Sequence, residues 1–129
     1  MIVDTSALVA AIRNEPEGPQ FRRAMLAERV LISASTLLEA HIVVHGRWGD
    51  AGVEKLGELL GTVDAQVIAV DEAQARIGIV AARRYGRGSG HPARLNYGDC
   101  FSYALAIAYD EPLLCKGDDF GHTDVRIAV

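Results

Sequence analysis

A chain of 129 residues, half of them hydrophobic and 23% charged, is long enough for one domain (1–129) with a real core and too short for two. No apolar run approaches the roughly 20 residues of a membrane span, and the N-terminal stretch carries an acid at position 4 and lacks the basic segment of a signal peptide. The formal charge of −4 argues against a broadly basic nucleic-acid-binding surface, and the two cysteines, Cys100 and Cys115, read as buried thiols of a reducing cytoplasm because they lie in apolar stretches without metal-ligand spacing.

Met1-Ile2-Val3 predicts a short strand without polar alternation, as in a parallel sheet buried on both faces. Asp4 stands at its end, and Thr5 and Ser6 can cap the apolar helix Ala7–Ile12. Asn14–Pro19 breaks the chain before a short helix, about Gln20 to Ala27. Val30–Ser33 predicts a second strand, followed by a helix from Ser35 or Thr36 to the Gly46–Gly49 region. Ala51–Leu60 predicts a further helix, and Val67–Val70 a third strand. Asp71-Glu72-Ala73-Gln74 reads as a capping box opening a helix through Tyr85. Gly86–Asn96 reads as a loop, Tyr97–Tyr109 as a helix, Leu113–Cys115 as a buried strand and Val125–Val129 as a last apolar segment. Short apolar strands alternating with helices predict an α/β fold with a mainly parallel sheet.

The acids fall into a pattern on that fold. Asp4, Glu39 and the Asp118-Asp119 pair each follow the carboxyl end of a predicted strand, and in a parallel sheet those ends share one edge. Asp99 lies in the first turn of the Tyr97–Tyr109 helix. Each has a structural reason to exist by itself: Asp4 as a helix cap, Glu39 as the last residue of a Thr36-Leu37-Leu38-Glu39 capping box, Asp99 as a partner of the helix dipole, Asp118 and Asp119 as a polar turn. Their coincidence at one edge favours a site. Carboxylates brought within about 5 Å of one another repel by roughly 3 kcal/mol per pair at an effective dielectric near 20, and so require a cation. All-oxygen ligands select Mg²⁺ or Mn²⁺, which points to phosphoryl chemistry. An aspartyl-phosphate enzyme is disfavoured because Asp4 lacks a second acid two residues on, and no Gly-rich phosphate loop is present.

Four stretches, Met1–Leu8, Ser35–Ala40, Asn96–Ala106 and Pro112–Phe120, resemble in order and spacing the PIN-domain ribonucleases, and among them the VapC toxins of bacterial type II toxin–antitoxin pairs. The resemblance implies a Mg²⁺-dependent endoribonuclease, usually homodimeric, restrained by a VapB-type antitoxin. It assigns Asp4, Glu39 and Asp99 to an acidic site, with Asp4 and Asp99 as principal metal ligands. Many relatives place an aspartate three residues before the phenylalanine, where this chain has Gly117, so Asp118 or Asp119 must substitute, with Asp124 a weaker candidate. A nuclease of the same fold acting on DNA or flaps, or a silent protein-binding module, are the alternatives.

Arg83, Arg84, Arg87 and Arg94, with His91, form a local basic cluster around the Gly86–Asn96 loop, either an RNA-backbone patch or a solvated helix end. His91, between Gly90 and Pro92, reads as part of a mobile loop. Trp48, the only tryptophan, suits core packing or a protein interface better than base stacking.

Overall fold

The computed structural model describes residues 1–129. Four parallel strands, β1 (Ile2–Val3), β2 (Leu31–Ser33), β3 (Gln66–Ile68) and β4 (Leu113–Leu114), line up in the order β3-β2-β1-β4. Ile2 pairs with Leu31 on one side and Leu113 on the other, so β1 is central. Period-two alternation sends Ile2, Leu31 and Leu113 into one buried cluster and Val3, Ile32 and Leu114 into the other. Polar alternation is missing from β1, β2 and β4 because both of their faces are covered, whereas the edge strand β3 is largely exposed.

Five helices supply that cover: α1 (Thr5–Ile12), α2 (Gly18–Ala27), α3 (Ala34–Thr62), α4 (Glu72–Tyr85) and α5 (Tyr97–Tyr109). Helix α1 packs on α2 and α3, and α4 packs on α5. From β1 the chain moves outward to β2 and β3, then returns across α4 and α5 to place β4 on the far side of β1. The carboxyl end of β1 is therefore the point where strand order reverses, the usual ligand crevice of an open α/β sheet. No helix is long and apolar enough to cross a membrane.

Several boundaries differ from the sequence reading. The two helices expected on either side of Gly46–Gly49 form one run, α3, kinked where Gly49 takes φ 63° and ψ −155°, a left-handed conformation that glycine tolerates. Helix α3 begins at Ala34, capped by Ser33, whose hydroxyl accepts the Ser35 N–H at 3.2 Å. The Thr36–Glu39 capping box is therefore absent, because Glu39 lies beyond the first turn. At α4, Asp71 accepts the Gln74 N–H at 2.8 Å, but the Gln74 amide donates at 3.0 Å to the Ala69 carbonyl instead of returning to Asp71. β3 starts one residue early, and the C-terminal segment makes only a bridge, Ile127 to Leu113, that shields the outer edge of β4. The Gly86–Asn96 loop is held in place: His91 Nδ1 accepts the Ala93 N–H at 3.1 Å and the ring meets Tyr85 edge-on at 4.8 Å.

Candidate active site

Asp4 is both cap and cleft residue. Its extended backbone ends β1, and its Oδ2 accepts the Ser6 N–H at 3.0 Å and the Ser6 hydroxyl at 2.7 Å, closing the first turn of α1. Its Oδ1 accepts the Ser102 hydroxyl of α5 at 2.7 Å. Ser6 Oγ in turn accepts the Lys116 N–H at 2.9 Å, tying the exit of β4 to the exit of β1. Asp4 is only 4% exposed, and three donors take the place of water around its carboxylate.

Glu39 and Asp99 approach from two other elements. Glu39 Oε1 accepts the Thr5 hydroxyl, so its partner is α1 and not its own helix end. Its carboxylate lies against the backbone of Gly98, where an added Cβ would stand 1.8 Å from Oε2. Asn96 and Asp99 form the full capping box of α5: Asn96 Oδ1 accepts the Asp99 N–H at 2.8 Å and Asp99 Oδ2 accepts the Asn96 N–H at 2.9 Å. Burial pushes the Asp99 carboxyl up to about 6; the Asn96 N–H pulls it down, and Asp4, Glu39 and Asp119 each push it further up.

Of the two candidates for the fourth acid, Asp119 repels Asp99 and the Cys115 thiol, and neither it nor Asp118 lines the cleft of Asp4, Glu39 and Asp99. Cys115, buried at the end of β4, is pushed up to about 12 by burial and then by Asp4, Asp99 and Asp119, so it registers the same negative field from below. Asp124 is engaged elsewhere, accepting the Tyr103 hydroxyl at 2.7 Å. Gly117 turns at φ 92°, a left-handed position that favours glycine over aspartate.

The resulting cleft, about 370 Å³, is lined by Asp4, Glu39 and Asp99 together with Thr5, Ser6 and Asn96, and its cations are Arg47 and Lys116. Lys116 is held by Glu15, which raises its pKa, with Glu17 at 3.5 Å. Arg47 continues onto Trp48, whose ring carries the Arg47 guanidinium at 5.8 Å and that of Arg13 at 4.5 Å. Trp48 packs, half-buried, against the main core.

The family profile described as the PIN domain matches residues 1–126. Ribonuclease VapC28 of Mycobacterium tuberculosis is 46% identical over 130 residues, covering 100% of this chain and 98% of the relative. This chain is a PIN domain of the VapC family. Ribonuclease VapC30 of the same species is 44% identical over 126 residues, covering 97% and 95%. Among solved structures, M. tuberculosis VapC20, a sarcin–ricin loop cleaving toxin, superposes with a TM-score of 0.78 at 16% identity, covering 99% of this chain and 97% of that one. VapBC2 from Rickettsia felis, bound to a DNA fragment from their promoter, gives 0.71 at 16%, covering 98% and 94%. Both agree with the parallel sheet and helical layers of this PIN domain.

The donor set of the PIN domain suits a hard divalent cation: every acid in the cleft offers oxygen, and Asp99 is under charge that a cation would relieve. The carboxylates stand apart and do not form a closed coordination shell. The arginines singled out in the sequence lie elsewhere. Arg83 and Arg84 project from the last turn of α4, with Arg84 over the Tyr85 ring at 4.8 Å; Arg94 is exposed, and Arg87 lines an apolar groove between α4 and α5. None of the four lines the acidic cleft. Sequence reading passed over Arg47, Lys116, Ser102 and Thr5. Lys116 was within reach of it, directly after an apolar strand; Arg47 depends on which face of α3 turns inward.

Proposed function

We propose that this PIN domain is a Mg²⁺-dependent endoribonuclease, the toxin of a toxin–antitoxin pair, acting in the cytoplasm under restraint by a VapB-type antitoxin. The observation that carries the reading is the meeting of Asp4, Glu39 and Asp99 in one cleft at the sheet's switch point, with Asp119 close enough to act on Asp99. Asp4 and Asp99 would hold the cation, with Glu39 and Asp119 completing the set. The bound ion supplies activated water and neutralises charge at the phosphodiester. Ser6 and Ser102 hold the Asp4 carboxylate, Thr5 holds Glu39, and the Asn96 N–H holds Asp99. Arg47 and Lys116 draw the RNA phosphates to the cleft, and Glu15 and Glu17 release Lys116 as a phosphate arrives.

The names of the VapC relatives support RNA as substrate, and the solved VapBC2 assembly supports a protein partner. An apolar groove of about 800 Å³ between α4 and α5, bordered by exposed Ile79 and Tyr97, supports a homodimer through that face. Matched RNA and DNA oligonucleotides test the activity: RNA should be cut in Mg²⁺ or Mn²⁺ and spared in excess EDTA. Cutting that persists in EDTA, with contaminating nuclease excluded, sinks the metal-dependent reading; cutting of DNA alone sinks the substrate.

A second experiment locates the phosphate contacts. Arg47→Ala should weaken RNA binding and reduce the log–log salt slope by about one unit, the signature of one lost phosphate contact. Arg83→Ala and Arg94→Ala, away from the cleft, should leave that slope in place. The reverse pattern would move the RNA track to the α4 end.

A further inference from the structure

Beneath the acids lies a layer of hydroxyls. Ser102 follows Asp99 by three residues on α5, and Thr36 precedes Glu39 by three on α3, so each helix presents an acid and a hydroxyl on one face. The two hydroxyls meet at 3.2 Å. Ser102 has a single proton and directs it to Asp4 Oδ1 at 2.7 Å, so it accepts from Thr36. The chain therefore has one direction, from Thr36 to Ser102 to Asp4. Ser102 is 0%, Thr36 2% and Asp4 4% exposed, leaving solvent little room to substitute for any link.

We propose that Ser102 and Thr36 are positioning residues that set the plane of the Asp4 carboxylate for cation binding. This rests on the metal-dependent reading above. Ser6 fixes only Oδ2; without Ser102 the carboxylate turns about that anchor and Oδ1 leaves its place. Partners of this kind orient a ligand without touching the ion, and their removal typically costs about 10–100-fold in metal affinity. Packing alone would predict something else: a less stable protein whose affinity for the ion is intact.

The test uses the full chain, stripped with chelator, and Mn²⁺ as probe, with free Mn²⁺ measured by electron paramagnetic resonance and thermal melting followed without metal. Ser102→Ala should weaken Mn²⁺ binding about 10–100-fold. Thr36→Val, which keeps the shape and removes the hydroxyl, should weaken it less, because Ser102 still reaches Asp4. Thr36→Ser, which keeps the hydroxyl, should restore the affinity even where the lost methyl lowers the melting temperature. Wild-type affinity in Ser102→Ala, with a lower melting temperature, overturns the proposal and leaves the hydroxyls as packing. If Ser102→Ala does not fold, Thr36→Val against Thr36→Ser decides by the same split. Absence of Mn²⁺ binding by the wild-type protein would overturn the metal-dependent reading itself, and this inference with it.

Discussion

Gly98→Ala should leave the protein folded and remove most of its RNA cleavage. The added methyl would stand 1.8 Å from Glu39 Oε2 and 2.8 Å from its Cδ, so the two cannot coexist as placed. The Glu39 carboxylate is the end of a flexible side chain, whereas Gly98 is fixed in the first turn of α5 between both partners of a capping box. The carboxylate therefore moves. It forfeits the Thr5 hydroxyl, at a net cost of about 1 kcal/mol, while alanine in place of glycine returns up to about 1 kcal/mol of helix propensity. Stability changes little as these offset. Displacing an acid of the proposed metal set should cost at least the roughly hundredfold that a supporting partner can be worth. Glu39→Gln gives the comparison, since the amide oxygen still accepts from Thr5 and only the charge is lost. Cleavage rates and melting curves for both variants check the expectation; an active Gly98→Ala would mean that Glu39 works from outside the cleft.

Asp99→Asn should abolish cleavage and remove a pH-dependent loss of stability. In the metal-free protein the folded-state pKa of Asp99, about 6, exceeds its ordinary 3.8, so folding favours the protonated acid. Its contribution to stability is fully present below 3.8 and is lost as pH rises through about 6. Melting temperature in EDTA should thus fall across that window in the wild type, and fall less in Asp99→Asn. At pH 7.5 the variant should melt at the same or a higher temperature than the wild type. With Mg²⁺ the order reverses. At ten times the dissociation constant the ion adds about 1.4 kcal/mol to the wild type, roughly 5 °C for a domain of this size, and little to the variant. Protons and cation compete for the same carboxylate, so Mg²⁺ affinity should weaken as pH drops below about 6. A pH-independent difference between the two proteins would reduce Asp99 to its capping role.

The sheet was legible because β1, β2 and β4 are buried runs too short for helices, and β1 carries its acid at the end where ligands bind. By position alone Asp99 was only a helix-terminal acid, and its assignment to the site came from the family resemblance. Glu39 was found with the wrong local explanation: Ser33 caps α3 one turn earlier than the Thr36–Glu39 spacing suggests, because the strand–helix junction is abrupt. Spacing alone could not choose between Asp118 and Asp119, adjacent residues between the turn at Gly117 and the short 3₁₀ segment Phe120–His122. The four arginines lie outside the acidic cleft, because closeness along the chain fixes no direction in space. Arg47 lies in the glycine-flanked Gly46–Gly49 stretch, where residue order alone sets no direction, and the packing of α3 on α1 brings it to the cleft.

The bond from the Lys116 N–H to Ser6 Oγ spans 110 residues of sequence. It has a counterpart in time. At a synthesis rate of about 5–20 residues per second, those residues take roughly 5–20 s to make. Until they have emerged, Asp4 lacks β4 beside it, Ser102 beneath it and Asp99 opposite. A growing chain therefore has acids without a cleft. The cleft is complete only once α5 and β4 have both been made.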